Sequence, residues 1–282
     1  MGAERPQPTQ YRWFRGVALF ALVLLPGCTT AHLASMDRYA RGLVVILPGI
    51  EGRSIWNTNI ADGLERGGVS VGIEIYDWSV PLPLGVVVNV ADLERNRRKA
   101  RQLAERIAEY GEDFPGRPVF LIGHSAGAGL AVLTLEALPA DRRIAGAILL
   151  AAAVSPEHDL TEALRRTQAG IWSFYSRRDV GFLGLGTRFF GTVDRRYGSA
   201  AGAVGFKEPA GLDEAERRFY REKLHQVKYS RQMARSGHPG THTGWANSRF
   251  VRDWLAPLVL KAMNRGPEPT PAPGPARTRP AS

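Results

Sequence analysis

The stretch Val119-Phe120-Leu121-Ile122-Gly123-His124-Ser125-Ala126-Gly127-Ala128-Gly129-Leu130 constrains this chain more than any other. Four apolar residues run straight into a G-x-S-x-G. Small residues and then an apolar periodic stretch follow. The pattern predicts a buried strand, a sharp turn and a helix start. A serine on such a turn has its hydroxyl pushed out above the sheet edge. Gly123 and Gly127 leave room where a side chain would clash with the strained elbow. The motif alone is moderately specific, and here it has the strand–turn–helix setting that it needs.

On both sides of this stretch the chain alternates between strand and helix patterns. Leu43 to Leu47 is a continuous apolar run stopped by Pro48-Gly49, which predicts a buried parallel strand and a loop. Ser54 can cap a helix running to about Arg66, with Gly67-Gly68 as its stop. Val69 to Tyr76 reads as a strand ending at Asp77-Trp78, with Pro81 and Pro83 in the loop after it. Asp92 to Tyr110 is the clearest helix, with Leu93, Ala100, Leu103, Ala104, Ile107 and Ala108 mostly on one face. Beyond the elbow strand (Val119 to Ile122) and its helix (Ala126 to Ala137), strands are expected at Ile144 to Val154, Ile171 to Ser176 and Leu224 to Ser230. Helices are expected at Leu160 to Thr167 and Phe250 to Met263, the latter with Trp254, Leu255, Leu258 and Val259 facing inward. Gly181 to Gly205 reads as a loop or partial lid over the strand ends, with Phe182, Leu183, Leu185, Phe189 and Phe190 lining or covering an acyl site. The expected architecture is a single α/β unit, a doubly wound and mostly parallel sheet with right-handed crossovers.

The ends of the chain have a different character. Arg12 and Arg15 precede the apolar run Gly16 to Leu25, too short for a comfortable membrane span and suited to a signal peptide. Leu25-Pro26-Gly27-Cys28 resembles the lipobox of bacterial lipoproteins, although Pro26 departs from the usual pattern. That resemblance implies a lipid on Cys28. Thr29 after the Cys favours the outer membrane, so the expected location is the exported cell envelope, facing the periplasm. The expected boundaries are 1–27 signal peptide, 28–41 tether, 42–263 catalytic domain and 264–282 disordered Pro-rich tail. Cys28 is the only Cys, which excludes an intramolecular disulfide and a Cys-rich metal site. The net charge of +10 comes from arginines scattered over the chain. It could favour an anionic membrane surface, but it does not indicate nucleic acid, for which no motif is present. The dense run Arg95, Arg97, Arg98, Lys99 and Arg101 reads as a solvated helix face.

With the elbow placed on its strand, the chain resembles the α/β-hydrolases over roughly Gly42 to Met263. The resemblance implies a Ser nucleophile, a carboxylate and a His in that chain order, met here by Ser125, Asp179 and His242. It also implies an oxyanion hole of backbone N–H groups, here those of Ala126 and Ile50. The loop is Pro48-Gly49-Ile50-Glu51-Gly52. Pro48 stands where the family often has His, so the loop must be anchored differently. Glu51 would oppose a developing anion and is expected to turn away onto Arg53. Glu157 and Asp159 are rivals to Asp179, which could instead pair with Arg177 or Arg178. Asp77 is expected to be structural or to line the pocket. His238, followed by Pro239, is the rival base, and otherwise a surface loop residue or a donor behind the base. His124 reads as elbow packing, and Trp245 as packing behind the His242 loop.

A Ser hydroxyl needs a base to act as a nucleophile, and a buried carboxylate holds that base in the right tautomer. The expected chemistry is hydrolysis of short to medium acyl esters, lipid esters included, through an acyl-enzyme. A Ser nucleophile argues against haloalkane hydrolysis. Thioesterase, amidase and acyltransferase activities need the same three residues and stay open. So does a catalytically inactive hydrolase fold acting as a binding or scaffold protein of the envelope. No nucleotide-binding loop or zinc motif occurs, so neither cofactor nor metal is expected.

Overall fold

The computed structural model describes residues 30–80, 92–179 and 199–264. The signal segment with Cys28, Pro81 and Pro83, the apolar residues Phe182, Leu183, Leu185, Phe189 and Phe190, and the Pro-rich tail beyond Asn264 lie outside the described residues. Six parallel strands form one sheet in the order β2-β1-β3-β4-β5-β6. They are β1 (Leu43–Leu47), β2 (Gly72–Ile75), β3 (Val119–His124), β4 (Gly146–Leu150), β5 (Ile171–Tyr175) and β6 (Leu224–Lys228). The helices between them are α1 (Ile55–Arg66), α2 (Leu93–Asp113), α3 (Ala126–Ala137), α4 (Thr161–Arg165) and α5 (Glu214–Lys223), and α6 (Ala256–Met263) closes the domain.

The continuous apolar runs follow from burial on both faces of a parallel sheet. Because side chains alternate, each strand feeds two cores. Val44, Ile46, Phe120, Ile122, Ile148 and Phe174 pack with Ile60 and Leu64 of α1 and Val259 of α6. Leu43, Val45, Leu47, Leu121 and Leu149 pack with Leu103 and Ile107 of α2 and Leu130 and Leu135 of α3. Helices on both faces make the sheet doubly wound, as in the α/β-hydrolase fold. The central pairings Leu47↔Gly123 and His124↔Leu150 place the elbow in the middle of the sheet's C-terminal edge.

Several boundaries differ from the sequence reading for local reasons. The second strand begins at Gly72, because Val69 N–H still bonds to Leu64 O at the end of α1. The fourth strand stops at Leu150, because Ala151 turns to φ 48°. α2 continues to Asp113, with the Asp92 side chain accepting the Arg95 N–H at its start. The fourth helix covers only Thr161–Arg165, and the last strand ends at Lys228. α5 is an element not anticipated. It carries a capping box in which the Asp213 side chain accepts Glu216 N–H and Glu216 accepts Asp213 N–H. Within the expected loop, Ala201–Val204 forms a helical turn whose backbone bonds to Ala152 and Val154 beyond β4. The final helix is not continuous. Ser248–Phe250 leads into a π-turn at Val251–Leu255 before α6, where Ala256 N–H reaches back to Val251 O. Pro257 follows in the first turn of α6 and has no N–H of its own. Trp254 and Leu258 are half-buried against the core, while Leu255 and Val259 are fully buried.

Residues 30–41 pack against the edge of the sheet. Leu33 is buried, and the Arg38 guanidinium donates to Val71 O and Val69 O at 3.0 and 3.2 Å. α1 meets the C-terminal helical segment through glycines. A β-carbon on Gly63 would stand 2.5 Å from Ser248 O and 2.6 Å from Val251 Cβ. Gly63→Val is therefore expected to cost about 1–3 kcal/mol or more through overpacking, read as a lower urea midpoint with an unchanged slope.

Candidate active site

β3 delivers Ser125 at φ 57° and ψ −120°, a conformation costing a non-glycine residue on the order of 1–3 kcal/mol. Three backbone bonds hold it there. Ser125 N–H donates to Leu150 O at 2.8 Å, and Ser125 O accepts the N–H groups of Ala128 and Ala153, both at 3.1 Å. The elbow glycines are needed for space. A β-carbon on Gly123 would lie 2.4 Å from Gly127 O, and one on Gly127 would lie 2.2 Å from Leu47 O and 2.3 Å from Pro48 O. The second contact sets the start of α3, with Ala126, directly against the chain leaving β1. Ile50, half-buried, follows two residues on.

The loop after β1 is anchored from β2. Trp78, fully buried, donates its indole N–H to Pro48 O at 2.9 Å. Asp77 accepts Arg53 N–H at 3.0 Å and the Ser79 hydroxyl at 2.6 Å, which gives it a structural role. Glu51 does not turn onto Arg53. Its carboxylate folds back over Gly49, whose N–H it accepts at 3.3 Å, while Arg53 donates to Thr30 Oγ1 at 3.0 Å. The reason is local, since a two-residue return to Gly49 is within reach and the Arg53 backbone is already held by Asp77. Burial raises the Glu51 carboxyl above its ordinary range, against the lowering effect of its backbone bonds and nearby His242.

Asp179 and His242 are brought together. Asp179, 2% exposed in the turn after β5, accepts a hydrogen bond from His242 Nδ1 at 2.8 Å. That bond puts the ring proton on Nδ1 and leaves Nε2 with its lone pair. Burial raises the Asp179 carboxyl, and the bond and charge of His242 work against the rise. Arg178 does not compete, because its guanidinium lies over the Tyr229 ring at 5.6 Å. Glu157 is held by Lys207 at 2.6 Å and by the Ser155 hydroxyl at 2.8 Å, and Asp159 accepts the Thr161 N–H and hydroxyl. His242 reaches the elbow through His124, whose ring centroid is 4.8 Å from its own. His124 Nε2 donates to His242 O at 3.1 Å, so its Nδ1 is unprotonated. Burial, with the His242 charge second, lowers the His124 pKa to about 3.

His238 is not a surface loop residue. It is 0% exposed, with its ring 3.9 Å from Trp245, 4.9 Å from Phe250 and 5.1 Å from Tyr229. Its Nδ1 accepts Gly240 N–H at 3.2 Å, and burial lowers its pKa to about 4. It props the His242 loop from within the core, together with the fully buried Trp245. Ser176, at the end of β5, ties the same loop down by donating its hydroxyl to Gly240 O at 2.8 Å. Trp78 and Ser176 were missed in the sequence. Their only signal is position, each directly after a strand that flanks the site.

The sheet, the elbow and the placement of these side chains define a class, the α/β-hydrolase fold with a nucleophile-type elbow. Residues 82–184 match the family model described as serine aminopeptidase, S33, a stretch that includes the elbow and Asp179 and ends before His242. No curated protein sequence matches the chain. Similar solved structures include a protein of the alpha/beta hydrolase superfamily from Xanthomonas campestris pv. campestris. It is 18% identical, the match covers 78% of this chain and 99% of that one, and the TM-score is 0.44. An a/b serine hydrolase without a lid from Xanthomonas campestris is 14% identical over 83% of this chain and 88% of its own, with TM-score 0.46. A cutinase-like protein from Cryptococcus sp. is 12% identical over 80% and 97%, with TM-score 0.41. The fold assignment rests on sheet order and elbow geometry rather than on these distant likenesses.

The buried histidines make stability pH-dependent. His238 and His124 have folded pKa values of about 4 and about 3, below the ordinary 6.5, so the unfolded chain binds their protons first. Their contribution is present above about pH 6.5 and is lost progressively as pH falls toward 4, up to a few kcal/mol for each. Urea midpoints measured between about pH 7 and pH 5 should fall, and His238→Phe should flatten that dependence.

Proposed function

We infer that this protein is a serine hydrolase that cleaves carboxylic esters through an acyl-enzyme. One observation carries the reading: a buried Asp179–His242 hydrogen bond at 2.8 Å stands beside an elbow that holds Ser125 at positive φ. Ser125 Oγ attacks the acyl carbon, and His242 Nε2 takes its proton and returns it to the leaving alcohol. Asp179 stabilises the imidazolium between the two steps. The tetrahedral oxyanion is received by the N–H groups of Ala126, at the positive end of α3, and Ile50. Water, deprotonated by the same His, then clears the acyl group.

A fluorophosphonate probe should label Ser125 in the folded protein and leave Ser125→Ala unlabelled. On nitrophenyl esters, His242→Ala should lose on the order of 10³-fold or more in kcat/KM. His238→Phe should keep most of its activity while losing stability. A large loss confined to His238→Phe would reassign the base. Silence of Ser125→Ala would favour the inactive scaffold instead. The same panel should contain thioesters and aminoacyl anilides, because thioesterase and aminopeptidase chemistry would use the same residues.

We also propose that the chain is exported and anchored by a lipid on Cys28, as Leu25-Pro26-Gly27-Cys28 behind Arg12 and Arg15 suggests. Mass spectrometry of the mature N-terminus should find a diacylated Cys28. An unmodified start at another residue overturns this placement.

A further inference from the structure

The end of the sheet opposite the elbow carries a second feature. There, a cavity of about 660 Å³ is lined by Arg41, Arg117, Arg142 and Arg143 together with Leu260 and Met263. Three of these arginines precede adjacent strands of the sheet. Arg41 and Arg117 each lie two residues before the first paired positions of β1 and β3, Leu43 and Val119. Arg117 and Arg143 each lie three residues before the paired positions Phe120 and Gly146 of β3 and β4. The three strands they lead into, β1, β3 and β4, are neighbours about 4.8 Å apart.

Like charges gathered around one cavity repel unless something neutralises them. Among the described residues, no carboxylate forms an ion pair with Arg41, Arg117 or Arg143. Arg41 donates to the backbone, at Ser70 O (2.7 and 3.0 Å). Arg142 reaches only the exposed Glu112, at 3.6 Å. Asp141 also lines the cavity, which leaves four guanidiniums to one carboxylate. The rest of the lining is largely apolar, with Val69, Val71 and Ile107 beside Leu260 and Met263. Guanidiniums suit phosphate because they present paired donors. An apolar floor under a cationic cluster suits an amphiphile better than a bare ion.

We propose that this groove seats the phosphate headgroups of an anionic phospholipid surface. Arg41, Arg117 and Arg143 contact the phosphates, and the apolar lining meets the glycerol and upper acyl region. The domain then lies with the starts of its strands toward the membrane and its elbow facing away. The active site would thus be open to water-borne substrates rather than pressed into the bilayer. The groove lies apart from the esterase site and does not depend on that reading.

The test uses the full chain with Cys28→Ser and one new cysteine bearing a polarity-sensitive dye. The dye is placed at Asn264→Cys, which lines the groove, or at Glu157→Cys, exposed beyond the end of β4. Vesicles are phosphatidylcholine alone or phosphatidylcholine with an equal part of phosphatidylglycerol. The dye at 264 should shift to the blue with the anionic vesicles and not with phosphatidylcholine, and the shift should reverse in high salt. The dye at 157 should not respond. Arg117→Glu with Arg143→Glu should weaken the 264 response about tenfold or more, since each basic residue near an anionic surface adds to the attraction. The matched reversal Arg98→Glu with Arg101→Glu, on the exposed face of α2, should leave it unchanged. Circular dichroism and thermal melting check that each variant is folded, and Arg117→Gln with Arg143→Gln serves as the milder pair. An equal loss in both reversal pairs would mean that net charge alone binds the vesicles. A response at 157 but not at 264 would mean the opposite orientation. A 264 response to inorganic phosphate without any to vesicles would mean a soluble anion site. Each of these overturns the proposal.

Discussion

Gly127 stands where two pieces of chain have to touch. The start of α3 presses on the carbonyls of Leu47 and Pro48 so closely that a β-carbon has no place between them. This contact joins the turn carrying Ser125 to the loop carrying Ile50. Both loops hang from adjacent central strands, β3 and β1, so their separation is set by strand spacing and not by side-chain rotamers. The strained backbone of Ser125 is tolerated because β4 supplies the bond from Leu150 O and Ala153 closes the turn from the other side. The site thus inherits the rigidity of the middle of the sheet.

The His242 loop lacks that advantage, since it lies outside the ladder between β6 and the last helices. It is held instead by individual polar bonds from the two strands it overhangs. His124 reaches its backbone at His242, Ser176 reaches it at Gly240, and Asp179 reaches the ring itself. Beneath it, His238 and Trp245 fill the core where aliphatic residues would be expected, with Phe250 and Phe174 edge-on to Trp245. Two histidines kept neutral by burial therefore orient a third that stands at the surface of the site.

Much of the fold was legible because a doubly covered parallel sheet demands continuous apolar strands, and Leu43 to Leu47 and Val119 to Ile122 have no other comfortable structure. The elbow was legible because only glycine fits its contacts. Ser125, Asp179 and His242 were nameable from their order along the chain, and the structure sets the last two in contact. The supporting residues were not legible. Whether Trp78 or Ser176 matters depends on which loop lies above it, and that is a property of the assembled sheet. Glu51 was misjudged because a neighbour in sequence, Arg53, looked like its partner, whereas the loop curls so that Gly49 N–H is nearer. His238 was read as the rival base, or else as a surface loop residue or a donor behind the base, and its burial under the loop depends on how the loop folds back onto the core. The helix at Glu214–Lys223 did leave a trace in its Asp213–Glu216 capping box. It is polar on most of its surface and shows little apolar period.

The π-turn at Val251–Leu255 has a consequence for the tolerance of the chain to length changes. A π-turn holds one residue more than the α-helical path it replaces. It acts as a phase adjuster between two helical stretches, each committed to its own neighbours. Phe250 on one side is locked against Trp245 and His238, and Val259 on the other is locked into the core beneath the sheet. The turn already holds its extra residue, so adding another between them would turn one stretch by about 100° relative to the other. Either the aromatic prop under the His242 loop or the seal of the core would then be lost. At this junction the spacing of residues is under tighter constraint than their identity.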